Sequence, residues 1–261
     1  MIDTHCHLTF PDFSGIVGDV LARAREHGVS GVITVGTTTA NAAENLVVAH
    51  RFPSVWSSAG VHPLYSHEGP HDWAALGRAI ADPRCVAWGE LGLDNHYDDP
   101  PRSLQDKVLA DQLAYIESVQ RGGVEKPVII HCREAFDDLL PVLAGSALDL
   151  SRVVFHCFTG TPDDARKVLD QGAWISFTGV ATYRNAGEVR KAARLVPADR
   201  IMVETDAPFL SPDPHRGARP CEPWMSSVTA RRLAQERGVP WEVFHDQINQ
   251  NTTRFFGIPA A

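Results

Sequence analysis

Cysteine is scarce in this 261-residue chain, and no CxxC pair occurs among Cys6, Cys85, Cys132, Cys157 and Cys221. An odd number without that spacing argues against a disulfide framework and against a cysteine-ligated zinc site. The amino-terminal segment has neither the basic nor the apolar stretch of a secretory signal. No run approaches the roughly 18 apolar residues that a membrane span needs. We therefore expect a cytoplasmic protein with no membrane partner.

Lysine is scarcer still, with four residues in the whole chain: Lys107, Lys126, Lys167 and Lys191. Lysine and arginine together number 24 against 32 acidic residues, which gives a formal charge of −8. Such an acidic chain is not a nonspecific coat for nucleic acid, because that function needs a dominant basic field. Nucleic acid as a substrate is not excluded, since a metal site supplies its own local positive charge. The 44% apolar content excludes intrinsic disorder.

Strand-like apolar runs alternate with longer amphipathic segments along the chain. The predicted strands lie at 1–6, 31–36, 54–60, 85–90, 127–132, 152–157, 173–178 and 200–205. The predicted helices lie at 15–27, 40–51, 71–81, 103–121, 134–144, 162–171, 186–196, 224–237 and 240–256. This alternation predicts parallel crossover units, and eight of them in about 250 residues are typical of a TIM barrel. The missing GxGxxG motif after the first strand argues against a doubly wound sheet. We predict an α/β protein with one domain, a (β/α)₈ TIM barrel over residues 1–261, in which 207–223 is a long loop.

Histidines and acidic residues fall at the carboxyl ends of the predicted strands, the face where barrel active sites are built. They are His5, His7, Glu90, His131, His156 and Asp206. Residues two apart on a strand share a face, so His5 and His7 point into the barrel mouth and Cys6 points outwards. Six such side chains buried together would repel each other and lack partners without a cation. The pattern therefore predicts a metal site and a barrel of the metallo-dependent hydrolase type.

The donor types limit the metal. Imidazole with carboxylate and no thiolate suits Zn²⁺, Mn²⁺, Fe²⁺ or Ni²⁺, and Mg²⁺ can bind through the carboxylates. Six ligands are too many for one open catalytic ion but suit two ions that share a carboxylate. No lysine ends a predicted strand, so a carbamylated lysine bridge is disfavoured and Glu90 takes the bridging position. We expect two divalent ions as cofactors, Mg²⁺, Mn²⁺ or Zn²⁺.

Two further polar residues lie near these strand ends. Glu204 stands two residues before Asp206, where it either tunes a ligand and positions water or pairs with a neighbour inside the barrel. Arg133 shares a face with His131 and either binds a phosphate oxygen bidentately or pairs with Glu134. Among the aromatic residues, packing is favoured for Trp88 and Trp174. The loop residues Tyr65, Phe158 and Phe209 are better candidates for stacking on bases.

Seven segments in this order resemble the TatD-type deoxyribonucleases: MIDTHCHL (1–8), GVHP (60–63), GELGLD (89–94), VIIHCRE (128–134), FHCFTG (155–160), ISFTG (175–179) and ETDAPFL (204–210). The resemblance covers nearly the whole chain. It implies a metal-dependent hydrolase that cleaves DNA phosphodiesters as a 3′→5′ exonuclease on single-stranded ends. The alternatives are a D-aminoacyl-tRNA deacylase or another small-substrate hydrolase on the same scaffold, and a metal-binding partner protein without catalysis.

The same resemblance implies roles for individual residues. His5, His7 and Asp206 are expected to hold one metal, His131 and His156 the other, with Glu90 between them. Asp206 can also take a proton from the attacking water, so Asp206, Glu90 and Glu204 form the expected catalytic set. Phosphate contacts are expected from His62, Arg133, His215 and Arg216, and we expect a monomer.

The chain departs from the family pattern at two places near the site. Asn95-His96-Tyr97 follow Asp94, where the family usually has an aromatic residue at once. The loop after the last strand reads HRGARPCEP and is one residue longer, with Pro220 and Cys221. Both departures concern the mouth of the barrel, so they bear on the substrate range more than on the chemistry.

Overall fold

A sheet of parallel strands in sequence order forms the centre of the computed structural model, which describes residues 1–259. Its strands are β1 (Ile2–Cys6), β2 (Gly31–Thr34), β3 (Val55–Ala59), β4 (Cys85–Asp94), β5 (Val128–Arg133), β6 (Val153–Phe155), β7 (Trp174–Phe177) and β8 (Ile201–Val203). The helices are α1 (Val17–Glu26), α2 (Thr39–Arg51), α3 (Trp73–Ile80), α4 (Arg102–Arg121), α5 (Phe136–Ala144), α6 (Pro162–Asp170), α7 (Gly187–Leu195), α8 (Ser226–Arg237) and α9 (Trp241–Phe256). The predicted TIM barrel is confirmed. The last two residues of the predicted domain, 260 and 261, lie outside the described range.

The barrel closes between its first and last strands through the segment that follows β8. The backbone N–H of Asp206 donates to His5 O (2.9 Å), and that of His7 donates to Ala207 O (2.7 Å). At the same junction between β1 and the segment after β8, the buried carboxylate of Asp3 accepts hydrogen bonds from the N–H (2.9 Å) and the hydroxyl (2.6 Å) of Thr205. These bonds hold the candidate ligands at the end of β1 against Asp206.

Apolar side chains fill the barrel interior towards the amino ends of the strands. This cluster includes Ile33, Val35, Ile129, Val154 and Met202, together with Phe255, Phe256 and Ile258 from the carboxyl-terminal helix and its continuation. α9 and the residues after it pack against this end of the barrel. No α-helix within residues 1–259 is long and apolar enough to cross a membrane.

Two of the differences between the observed and the predicted strand boundaries bear on the site. β4 does not end at Glu90 but continues to Asp94, because Gly92 and Asp94 pair with His131 and Arg133 of β5. β8 ends at Val203 instead of reaching 205, and Asp206 adopts a left-handed backbone conformation with φ of 63°. Glu204 and Asp206 are therefore not on one continuous strand.

Candidate metal centre

A cleft of about 690 Å³ opens at the carboxyl ends of the strands. Five of the predicted ligands line it, namely His7, Glu90, His131, His156 and Asp206, and His5 lies directly beneath. The structure thus places these six side chains close together. His5, His7, Glu90 and His156 are buried, whereas the side chain of Asp206 is 16% exposed. Asp206 is thus the candidate carboxylate that meets solvent.

Irregularities in two strands aim the key side chains inwards. Between the pairs Asp3–Val32 and Cys6–Thr34, β1 has one residue more than β2. As a result Ile2 and His5 both face the barrel interior, although simple alternation places them on opposite sides. A similar extra residue in β4, between Trp88 and Leu91, accompanies the inward position of Glu90. Such bulges commonly redirect side chains beside active sites.

One group of donor atoms surrounds the Oε1 atom of Glu90. His5 Nε2 and His7 Nε2 each lie 3.6 Å from it and 3.3 Å from each other. Asp206 Oδ1 lies 3.6 Å from His5 Nε2 and 3.3 Å from His7 Nε2. Two imidazoles and two carboxylates therefore converge on one point, as the ligands of a single ion would.

A second group surrounds the other oxygen of the same carboxylate. Glu90 Oε2 lies 2.8 Å from His156 Nε2, 3.6 Å from His131 Nδ1 and 3.9 Å from His62 Nε2. His131 Nδ1 is also within 3.2 Å of each of the other two imidazole nitrogens. The two oxygens of Glu90 thus face separate sets of nitrogen donors, which is the geometry expected of a bridging carboxylate.

The donor set fits divalent ions. Glu90 Oε2 and His5 Nδ1 are buried and make no well-aligned hydrogen bond within residues 1–259, although His156 Nε2 lies 2.8 Å from Glu90 Oε2. Buried polar atoms without well-aligned partners are costly. Burial alone would raise the pKa of Glu90, but the nearby imidazoles of His62, His156 and His5 hold it well below its usual value. Burial lowers the pKa of His62 well below its usual value, which favours the neutral ring that binds metals. The ionised carboxylate of Glu90, at the centre of the site, attracts a cation.

Outer partners orient the candidate ligands through their second ring nitrogens. His131 Nε2 contacts Asp94 Oδ2 at 3.0 Å, and His156 Nδ1 lies 3.5 Å from Glu204 Oε1. A carboxylate behind a metal-binding imidazole fixes the tautomer and raises the basicity of the ligand. Glu204 does not line the cleft. Its carboxylate accepts hydrogen bonds from the Cys157 N–H (2.6 Å) and the hydroxyls of Ser176 (2.6 Å) and Thr4 (3.1 Å). It therefore pairs with neighbours inside the barrel and also faces His156.

The predicted phosphate contacts separate into two sets. His62 and Arg133 line the cleft, and the Arg133 guanidinium lies 5.1 Å from the centre of the Tyr97 ring. Within residues 1–259 no acidic group pairs with Arg133, and Glu134 contacts His96 instead (3.0 Å). The loop residues are elsewhere. His215 packs against Trp224 (5.1 Å) and Arg216 against Tyr183 (4.1 Å), and neither is part of the cleft lining.

The aromatic residues are also divided between the cleft and the core. Tyr65 and Phe209 line the cleft, whereas Phe158 is buried beside Phe136 and Phe177 and cannot stack on a ligand. Trp88 and Trp174 are buried, as predicted. Phe10 also lines the cleft and was missed by the sequence reasoning. Its position three residues after His7, just beyond a strand end, is the signal that could have found it.

A TIM barrel with these imidazole and carboxylate ligands defines a metal-dependent hydrolase. A family model described as TatD related DNase matches residues 2–257, and the chain belongs to this family. It is 38% identical to the uncharacterized metal-dependent hydrolase YcfH of Escherichia coli K12, over all of this chain and 97% of that protein. It is 34% identical to the 3′-5′ ssDNA/RNA exonuclease TatD of Erwinia tasmaniensis, over 99% of this chain and 100% of that protein. The crystal structure of YjjV, a TatD homolog from Escherichia coli K12, matches with a TM-score of 0.90 and 30% identity, over 99% of this chain and 98% of that one.

Removing divalent ions should lower the melting temperature. An ion that binds only the folded protein stabilises it by about 2.7 kcal/mol at a concentration 100 times its Kd. A chain of this size shifts by roughly 2–4 °C per kcal/mol, so we expect a fall of about 5–10 °C after exhaustive chelation. Thermal unfolding of chelated and metal-loaded protein measures the change, and added Mn²⁺ should restore the original curve. Identical curves would contradict the metal centre described here.

Proposed function

We propose that this protein is a metal-dependent phosphodiesterase that removes nucleotides from the 3′ ends of single-stranded DNA. The observation that carries the proposal is the position of Glu90, whose two oxygens face separate donor sets in a cleft that also holds Arg133, a cation with no acidic partner within residues 1–259. Two ions sharing a carboxylate suit the in-line displacement at a phosphate. Relatives named as 3′-5′ ssDNA/RNA exonucleases support the same activity. All six candidate ligands come from one chain, so we propose that a monomer is sufficient.

Each group of donors has its own part in the proposed reaction. His5, His7 and Asp206 would hold one ion and His131 with His156 the other, with Glu90 shared between them. Divalent ions held there, Mg²⁺, Mn²⁺ or Zn²⁺, would polarise the phosphoryl oxygens and lower the pKa of bound water. Asp206, the carboxylate of the set that is partly exposed, can accept the proton that the attacking water loses. Glu90 is 2% exposed, so its charge is shielded from solvent and remains directed at the ions.

Arg133 and His62 complete the proposed site on the substrate side. An arginine can bind two phosphoryl oxygens at once, and the guanidinium is held over the Tyr97 ring. The loop that carries Tyr97 is itself fixed, because Asp94 Oδ1 accepts the N–H of His96 at 2.9 Å. A preorganised cation such as Arg133 stabilises the charge that develops in the transition state. His215 and Arg216 are left out of this set, since their side chains contact Trp224 and Tyr183 outside the cleft lining.

A time course with 3′-labelled and 5′-labelled single strands tests the proposal. With added Mg²⁺, Mn²⁺ or Zn²⁺, the 3′ label should appear at once as mononucleotide, while the 5′-labelled strand shortens stepwise. Parallel incubation with a D-aminoacyl-tRNA tests the deacylase alternative on the same preparation. Release of the D-amino acid with intact DNA would overturn the proposal, as would mononucleotides arising first from the 5′ label.

The affinity for single-stranded DNA should depend only weakly on salt. Few unpaired cations face the cleft of this acidic chain, and each phosphate contact contributes roughly 0.7 to the negative slope of log affinity against log salt. Two or three contacts therefore predict a slope near −2, measured by fluorescence anisotropy with a labelled strand and the Glu90→Gln protein. A slope steeper than about −5 would require a wide basic track and would contradict this description of the cleft.

A further inference from the structure

Two aromatic rings form a wall on the side of the cleft that carries His7 and Asp206. The Phe10 ring stacks on the His7 imidazole at a centroid distance of 4.6 Å and an angle of 20°. Phe209 meets Phe10 edge to face at 6.0 Å and 81°. Phe209 is 36% exposed and lines the cleft. The wall therefore starts at a candidate metal ligand and ends at a partly exposed ring.

The position of Phe209 is fixed relative to the candidate ligands. Its backbone N–H donates to Asp206 O at 2.9 Å, so the ring belongs to the same turn as Asp206. The next anchor is the bond from Cys221 N–H to Pro208 O at 3.0 Å, which ties the far end of the long loop beside the ring. Cys221 is fully buried. The residues at which the chain departs from the family pattern thus fasten this loop.

An arginine accompanies the exposed ring. The guanidinium carbon of Arg219 lies 5.2 Å from the centre of the Phe209 ring, and Arg219 has no ion-pair partner in the described part of the chain. The loop is held next to it by a hydrogen bond from the Ser211 hydroxyl to Ala218 O (2.7 Å). The Phe209 ring, partly exposed and with the Arg219 guanidinium over it, offers an aromatic surface and a cation together.

We propose that Phe209, backed by Phe10 and flanked by Arg219, forms a subsite that stacks one nucleobase of the substrate strand. Every base has a π-face that stacks on aromatic side chains, and the guanidinium is placed to meet the anionic backbone beside that base. The inference rests on the proposed function, because it assigns a place in the same cleft to the nucleotide next to the reacting phosphate. It predicts that the protein prefers phosphodiesters that carry a base.

Two chromogenic esters isolate this preference. Methyl p-nitrophenyl phosphate and the p-nitrophenyl ester of thymidine 5′-monophosphate release the same leaving group, but only the second carries a base. The wild-type ratio of kcat/KM for the thymidine ester over the methyl ester should fall at least about fivefold in Phe209→Ala, from the usual strength of base–aromatic stacking. Phe209→Trp should restore the ratio, whereas Phe209→Leu, which keeps apolar volume without a π-face, should not.

The arginine has a matched control in the same loop. Arg219→Ala should lower the affinity for a single-stranded oligonucleotide and make its salt dependence shallower, whereas Arg216→Ala, which removes a guanidinium stacked on Tyr183, should do neither. Equal losses on both esters in Phe209→Ala, or a normal ratio in Phe209→Leu, would overturn the subsite and leave the proposed function standing. A wild-type protein that cleaves single-stranded DNA and neither prefers the thymidine ester nor responds to the substitutions has no such subsite. No cleavage of DNA or of either ester with any of the three ions would overturn the proposed function itself.

Discussion

Glu90→Gln is expected to lower the turnover of single-stranded DNA by about 10³-fold and to leave the protein with fewer bound divalent ions. The substitution keeps the shape of the side chain but removes the negative charge that both donor sets share. An ion contributes several kcal/mol of transition-state stabilisation, and each 1.36 kcal/mol corresponds to a tenfold change in rate. Metal analysis of the dialysed protein and a single-strand exonuclease assay measure the two effects.

A matched substitution distinguishes the loss of the bridging carboxylate from the general effect of removing a negative charge in the cleft. Glu134→Gln also neutralises a carboxylate that lines the cleft, but this residue contacts His96 and is well exposed. It should retain the metal content of the wild type and lose far less activity than Glu90→Gln. Thermal unfolding of both variants checks that the barrel remains folded. Normal metal content together with near-normal turnover in Glu90→Gln would refute the bridging role.

Much of this site could be predicted from the sequence because parallel barrels impose simple rules. Apolar runs of strand length predict the eight strands, and the carboxyl ends of those strands meet at one mouth. A histidine such as His131 or His156, next to last in its predicted strand, is then placed within reach of the others. The structure brings both to the oxygen of Glu90. The positions of these two histidines along the chain were enough to predict that they lie near Glu90, without any knowledge of side-chain geometry.

The orientation of other residues depends on departures from regular strands, which hydrophobic patterns do not reveal. Counting by twos from Ile2 places His5 on the outer side of β1, and only the extra residue in that strand turns it inwards. Similarly, Glu204 and Asp206 share a face only if β8 continues. It ends at Val203, so Glu204 reaches His156 while Asp206 reaches His5 and His7.

The long loop after β8 was beyond sequence reasoning for a different physical reason. Residues 207–223 have no periodicity, so nothing in their order shows which side chains turn towards the cleft. Arg216 and Arg219 look equivalent in sequence, yet one packs on Tyr183 and the other on Phe209. Long-range contacts made by the folded barrel decide between them, and local propensity does not encode such contacts.

Arg133→Ala is expected to reduce kcat/KM for single-stranded DNA by roughly 10²–10³-fold, the usual effect of removing one preorganised group that stabilises transition-state charge. The loss should be much larger than for Arg219→Ala, because Arg133 lies beside His131 in the cleft whereas Arg219 lies over an outer ring. Arg133→Lys should recover only part of it, since an ammonium cannot bind two oxygens in the planar fork of a guanidinium.

The metal content of Arg133→Ala distinguishes this role from damage to the metal centre. Arg133 contacts the Tyr97 ring and no candidate ligand forms an ion pair with it within residues 1–259, so the variant should bind as many ions as the wild type. The Arg216→Ala protein, altered outside the cleft lining, provides the baseline for replacing any arginine. A group that meets the developing charge must change kcat/KM more than a distant cation does. Comparable kcat/KM values for the Arg133, Arg219 and Arg216 variants would therefore show that Arg133 has no special place at the reacting phosphate.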